Sequence, residues 1–231
     1  NEMTKNALLK SGLGELNNVV VTGCSRVDLA HLVRFQRKEQ INKKVVFFMI
    51  QNNAGIFFKN DGLKDDFKAL SFKVTQELVE LARQNSDVEF VFKAKVAIFE
   101  SQTKFLNGDI PENIRLSCDD LIHDLLADAS VVVGFNTTAI FEAIASGCQV
   151  VSPELFSDVP DSLRDYFISL RGAAYLPTNA EEFHETVNKL IAKNTFDREL
   201  TEDKIRALND VVGNGDGMAG QRLMKLIEDN I

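Results

Sequence analysis

Short apolar runs rich in β-branched and aromatic residues alternate with longer stretches in which apolar residues recur every three or four positions. The runs predict strands at Asn18–Thr22, Lys44–Ile50, Val88–Lys93, Asn113–Ser117, Ser130–Gly134, Gln149–Ser152 and Ala173–Leu176. The clearest helical pattern is Asp65–Gln84, where Phe67, Leu70, Val74, Leu78 and Leu81 share a face; Asn179–Ala192 is a second, with Phe183, Val187, Leu190 and Ile191. Strands that are apolar on both faces and separated by helices imply a doubly wound parallel α/β sheet. A helix is expected at Glu2–Lys10, and Asp197–Ile231 reads as helices without strands, broken by the Gly/Asn/Asp turn at Gly213–Gly217. The chain therefore reads as one domain: an opening helix over 1–12, a sheet core over 13–196 and a helical tail over 197–231. It starts on Asn1 with a helix that no strand precedes, the expected start of the C-terminal half of a longer two-domain protein.

Composition narrows the function classes. The 231 residues are 45% apolar, enough for one large core or two small ones. A net charge of −8, with basic residues scattered among more numerous acids, argues against a nucleic-acid partner. Cys24, Cys118 and Cys148 are far apart and lack a C-x-x-C pairing, which reads as reduced thiols and no structural zinc. The longest apolar run, Val45–Ile50, is far short of the roughly 20 residues that span a bilayer, and Asn1–Leu13 has no signal-peptide core. The expected location is the cytoplasm, with a peripheral position at the inner face of the membrane as the alternative.

In an open parallel sheet, ligands bind at the carboxyl ends of the strands, near the point where strand order reverses. The run Ser130–Gly134 turns through Phe135, Asn136, Thr137 and Thr138 into a helix predicted over Ala139–Ser146. Gly134 permits a tight turn, and the following residues bring free amides and hydroxyls to a helix start, a natural anion site. The alternative is that Asn136, Thr137 and Thr138 simply cap the helix. Glu142 stands in an otherwise apolar helix, where an unpaired carboxylate is costly to bury. Thr138 and Glu142 share a face about 5.4 Å apart along the axis. A phosphate at the helix start and a ribose diol one turn on would match that spacing; a solvent-facing position or a salt bridge to a neighbouring loop would explain Glu142 equally.

The segment Asp128–Val151 resembles the donor-binding signature of the GT-B glycosyltransferases, "ad-vv-G-x-(S/T)-x-x-x-E-A-x-x-x-G-x-P-v". Val19–Asp28 resembles the "v-v-T-G-x-P-R-x-D" that opens their C-terminal domain in surface-polysaccharide transferases, and Asp216–Arg222 the "D-G-x-A-x-x-R" that closes several of them. The resemblance implies a Rossmann-like GT-B C-terminal domain that transfers sugar from a UDP-, CDP- or CMP-linked donor to a surface-glycan or lipid-linked acceptor. The acceptor would be held by a separate N-terminal domain. On this basis Gly134, Asn136, Thr137 and Thr138 would hold donor phosphate and Glu142 the ribose. Lys93 and Lys95 fall where relatives carry a "K-P-H-P"-like motif; with the histidine absent, both would act as cationic phosphate ligands or remain solvated charges. The loop Gln51, Asn52 and Asn53 takes the place of the donor loop after the second strand, Ser117 and Cys118 the place of the base cradle, and Gly23 belongs to the opening motif. Arg26 could reach a phosphate or a donor carboxylate, or pair at the surface with Asp28 or another acid.

No metal motif is present, no cofactor beyond the donor is expected, and no catalytic residue is assigned. His31 and His184 read as helix-surface residues, and His123 lies near the base site. A CDP-polyol phosphotransferase is a near neighbour of this reading. A sugar-nucleotide 2-epimerase, the rival isomerase, would carry "G-G-x-Q-E-E" where this chain has Phe135–Thr138. The third alternative is a non-catalytic nucleotide-binding subunit.

Overall fold

The computed structural model describes residues 1–15, 18–37, 43–49, 61–96, 99–103, 106, 110–154, 156, 159–164 and 167–230. Along them run α1 (Glu2–Lys10), α2 (Arg26–Gln36), β1 (Lys44–Phe48), α3 (Asp61–Gln84), β2 (Glu89–Lys93), α4 (Phe99–Thr103), β3 (Ile114–Ser117) and α5 (Ile122–Asp128). There follow β4 (Val131–Val133), α6 (Ala139–Ala145), β5 (Gln149–Val151), α7 (Asp161–Arg164), α8 (Ala180–Lys193), α9 (Glu202–Val212) and α10 (Ala219–Glu228). The five strands form one parallel sheet in the order β3-β2-β1-β4-β5. This is the expected Rossmann-like architecture. The chain walks outward from β1 to β3, then returns to the other side of β1, so the order reverses between β1 and β4.

Alternation along the strands builds two cores. Val45, Phe47, Phe90, Phe92, Val131 and Val133 pack with Phe67, Leu70, Val74 and Leu78 of α3 and with Phe183, Val187, Leu190 and Ile191 of α8. Val46, Phe48, Val91, Val132 and Val150 point to the opposite face, against Val27 and Ala30 of α2, Leu125 and Leu126 of α5, and nearly all of α6. A period of two is what lets one strand feed both layers. No helix among the described residues is long and apolar enough to cross a membrane.

Two expected strands are not formed. Residues 19–24 run as irregular chain over the C-terminal end of α9: Cys24 N–H donates to the Val212 carbonyl at 2.9 Å, and Arg222 Nε to the Thr22 carbonyl at 2.9 Å. The β-branched run has strand propensity, but β1 already pairs on both sides, and Val20 is left exposed. The run at Ala173–Leu176 shrinks to a single parallel bridge, Tyr175 to Val151; Gly172 at φ +78 precedes it and Pro177, which lacks an N–H, follows it. The opening helix exists as predicted, although α1 buries none of its residues.

The opening and closing motifs meet each other. Asp28 accepts from Asn214 Nδ2 at 2.6 Å and from the Ala219 and Gly220 amides at 3.1 and 2.7 Å. Met218, the residue at the cap position of α10, makes no side-chain cap bond, so Asp28 of α2 caps that helix from outside. His31 departs from its expected surface position: it is buried, with Nε2 3.1 Å from the Asn214 carbonyl. Gly23 has φ +88, and a Cβ there would stand 2.3 Å from the Gly213 carbonyl oxygen, so only glycine allows the two segments to touch.

Asp28→Ala is expected to cost about 2 kcal/mol of stability in urea unfolding, from the lost cap and the buried donors left without an acceptor. Amide exchange should rise over α10 first. A loss below about 0.5 kcal/mol with unchanged protection of α10 would show that Asp28 does not hold the tail.

Candidate functional site

A cleft of about 390 Å³ opens at the carboxyl ends of β1, β2 and β4, where the strand order reverses. Its walls include Phe48 and Met49 from the end of β1, Lys93 and Lys95 from the end of β2, and Asn136, Thr137 and Thr138 from the β4–α6 turn; Arg26, the first residue of α2, closes one side. Gly134 stands at the crevice between β4 and β1, where a Cβ would meet Phe48 Cβ at 3.4 Å, an ordinary contact. Phe135 turns away into the core, with ring centroids 5.7 Å from Phe67 and 5.5 Å from Phe167, and so anchors the base of the turn. Asn136 then takes φ +50, a left-handed conformation that asparagine tolerates better than most residues.

Capping accounts for little of this turn. Thr138 occupies the cap position of α6 without a side-chain cap bond, and Ala139 N–H reaches Thr137 Oγ1 only at 3.4 Å. Thr138 Oγ1 instead accepts from Arg26 Nη2 at 3.2 Å. The same Nη2 stands 2.7 Å from Glu142 Oε1. Glu142 is fully buried, and His123 of α5 places Nε2 3.6 Å from its second oxygen. The contacts are ionic and poorly directed: neither carboxylate oxygen receives a well-aligned hydrogen bond. Burial pushes the Glu142 carboxyl above its usual range, opposed by the charge of Arg26 and by His123.

The other expected residues divide. Lys93 lies at the cleft but donates to the Cys118 carbonyl at 2.5 Å, tying β2 to the segment after β3. Ser117 is buried and accepts weakly from the Asp120 amide at 3.4 Å; neither it nor Cys118 lines the cleft. Gly23 also stands apart, against Gly213. Gln51, Asn52 and Asn53 lie outside the described residues. Of the pairings open to Arg26, the one with another acid forms, to the buried Glu142, while Asp28 is committed to α10. Sequence reasoning passed over the apolar walls, Phe48, Met49, Ile122 and Ala139; the one available signal was that the apolar run of β1 continues to its carboxyl end.

Solved structures share this fold over almost the whole chain. The UDP-GlcNAc 2-epimerase of Methanocaldococcus jannaschii, in complex with UDP-GlcNAc and UDP, is 14% identical with a TM-score of 0.57, over 98% of this chain and 59% of its own. The UDP-GlcNAc 2-epimerase of Neisseria meningitidis bound to UDP-GlcNAc is 16% identical with a TM-score of 0.50, over 97% and 59%. The wall teichoic acid polymerase TagF is 13% identical with a TM-score of 0.54, over 96% and 55%. This chain thus spans less than two thirds of the length of each. At such identities the likeness is one of fold: the expected Rossmann-like α/β architecture is shared with these structures. No protein-family model matches the chain, and no curated protein matches it by sequence.

Past the end of β5, Glu154 is buried and accepts from Ser152 Oγ at 3.3 Å. Burial raises its carboxyl from an ordinary 4.5 to about 7, against the opposing hydrogen bonds from Ser152 and the Leu170 backbone. Between those values the folded chain keeps a proton that the unfolded chain has released. The associated stability is full below pH 4.5 and lost as pH rises through about 7. Urea unfolding at pH 5 and pH 8 should therefore differ by about 2–3 kcal/mol more in the parent chain than in Glu154→Gln. Equal pH dependence in both would contradict a protonated Glu154.

Proposed function

We propose that this chain binds a nucleoside diphosphate ester in the cleft at the β1–β4 reversal and serves as the donor-holding half of a glycosyl-transfer enzyme of surface-polysaccharide synthesis. The observation that carries this reading is the grouping of Arg26, Lys93 and Lys95 with the Asn136–Thr138 turn around one cleft at the switch point. Its volume falls within the roughly 300–1,000 Å³ usual for small-molecule sites. In this reading the diphosphate lies over the β4–α6 turn, between its amides and the side chain of Arg26. The ribose lies one helical turn further along α6, and meets Glu142 once Arg26, which covers that carboxylate, has moved aside. The base packs toward Ile122 at the start of α5. Two of the neighbours that share the fold were solved with UDP-GlcNAc, which supports a sugar nucleotide as the ligand class.

The chemistry follows from charge. When the donor bond breaks, negative charge builds on the departing diphosphate, and fixed cations and amides aimed at it lower the barrier. Among the described residues lining the cleft none is a carboxylate or an imidazole, so this reading assigns the base that activates the acceptor to a part of the protein outside the cleft. The acceptor, a glycan or lipid-linked glycan, is assigned there as well.

A panel of UDP, CDP, CMP, GDP and TDP, with the free nucleosides as controls, tests the reading by thermal shift and calorimetry. One nucleotide is expected to stabilise the chain by about 2.7 kcal/mol at 100 times its dissociation constant. Replacing Thr137 and Thr138 together by valine should weaken that nucleotide about tenfold to a hundredfold, as expected for lost bonds to a charged phosphate, and leave the nucleoside unchanged. Failure of every nucleotide to bind, or equal losses for nucleotide and nucleoside, would reject the phosphate site.

A further inference from the structure

Resting on that reading, we infer that the Arg26–Glu142 pair is exchanged when ligand binds: Arg26 leaves Glu142 for the ligand's diphosphate, and His123 takes a proton to become the new counter-charge of Glu142.

The geometry sets up a competition for one guanidinium. Arg26 faces both ways. Its Nη2 is 2.7 Å from Glu142 Oε1 and 3.2 Å from Thr138 Oγ1, its side chain is 54% exposed, and it lines the cleft. A doubly charged ligand beside Thr138 competes for the same guanidinium. Glu142 cannot follow it or turn to water, because it is held within α6 with its side chain 1% exposed. A buried carboxylate that loses its cation must find another or take up a proton, since leaving it uncompensated costs several kcal/mol. Two hydroxyl donors from a ribose would satisfy lone pairs without supplying charge.

The nearest replacement is already in place. His123 Nε2 stands 3.6 Å from Glu142 Oε2, on the oxygen that Arg26 does not hold, and histidine is the side chain whose ordinary titration falls near neutrality. Among the described residues, charged groups on the neighbouring elements have contacts of their own. On α2, Asp28 and His31 are committed to Asn214, and Arg34 stacks on the ring of Phe35. Lys44 of β1 pairs with Asp128 and Glu89. On α9, Lys204 pairs with Asp197, and Arg206 with Asp203. The charge of the trio balances throughout: one cation and one carboxylate before binding, one imidazolium and one carboxylate after it, with the proton drawn from solvent. His123 is in this sense a positioning residue. It touches no reacting atom and keeps Glu142 ionised and in place while Arg26 serves the ligand.

The test is calorimetric titration of the whole chain with UDP-GlcNAc and with CDP-glycerol, each in two buffers of different ionisation enthalpy. Both esters carry a diphosphate blocked at each end, so the ligand itself releases no proton near neutrality. With the parent chain, binding should take up a fraction of a proton that rises toward one as pH increases from 6 to 8, and affinity should strengthen by up to about tenfold per unit fall in pH. In His123→Gln affinity should fall, because Glu142 must then either keep Arg26 or take the proton itself. In Arg26→Gln the uptake should vanish, because there is no cation to replace. Binding by the parent chain without proton uptake would overturn the exchange while leaving the nucleotide site standing, and needs no variant to fold. Uptake that persists in His123→Gln with undiminished affinity would place the proton on Glu142 and overturn the role of His123. Binding of neither ester would overturn the nucleotide reading and this inference with it.

Discussion

A carboxylate buried in the middle of an apolar helix constrains everything around it. Glu142 has no route to water, so α6 can form where it does only if a cation is delivered to it from another element. Arg26 delivers that cation, which fixes the first turn of α2 beside the first turn of α6. The side of the cleft that faces the β4–α6 turn is the consequence of this pairing. Once α2 is fixed at its start, Asp28 one turn in is positioned to cap α10, and the tail is drawn back over the opening segment. The two ends of the chain and the turn after β4 thus depend on one ion pair.

The sheet contributes the other half of the geometry. Parallel strands in the order β3-β2-β1-β4-β5 leave their carboxyl ends diverging on either side of the β1–β4 junction, and the helices that follow β1 and β4 pack on opposite faces. Gly134 stands at the crevice this opens, with Phe48 against it. Phe135 holds the opposite side rigid by entering the core. A cleft built this way is preformed: its floor is strand ends, and its polar rim is a turn anchored at one end by a buried ring and at the other by Arg26.

Much of the fold was legible in the sequence because period and burial agree. The two faces of β1, β2 and β4, the long stripe of α3 and the stripe of α8 are each an apolar pattern that can be satisfied in one way only. Residues 18–24 were not legible, because Val19, Val20 and Val21 have the propensity of a strand, while docking against α9 and α10 decided the outcome and no local pattern records that docking. Tyr175 fell short of a strand for the local reason that glycine and proline bracket it. At the site, Glu142, Thr138 and Arg26 were each visible as unusual residues, yet their mutual contact spans 112 positions between Arg26 and Thr138 and has no signature in spacing. Lys93 was expected to face a phosphate; the structure ties its ammonium to the Cys118 carbonyl, a partner contributed by the neighbouring strand end that sequence order conceals.

The central claim is that the diphosphate of a nucleotide lies between Arg26 and the Asn136–Thr138 turn. A crystal structure of the chain grown with the best-binding nucleotide tests it most directly. The account predicts phosphate density within hydrogen-bond distance of the amides of that turn and of the Arg26 guanidinium, with the ribose hydroxyls turned to Glu142. Nucleotide density elsewhere would contradict it; the hollow lined by Gln149, Tyr175, Lys193 and Lys204 is the competing place, and ligand there would leave the cleft at the strand reversal without the role assigned to it.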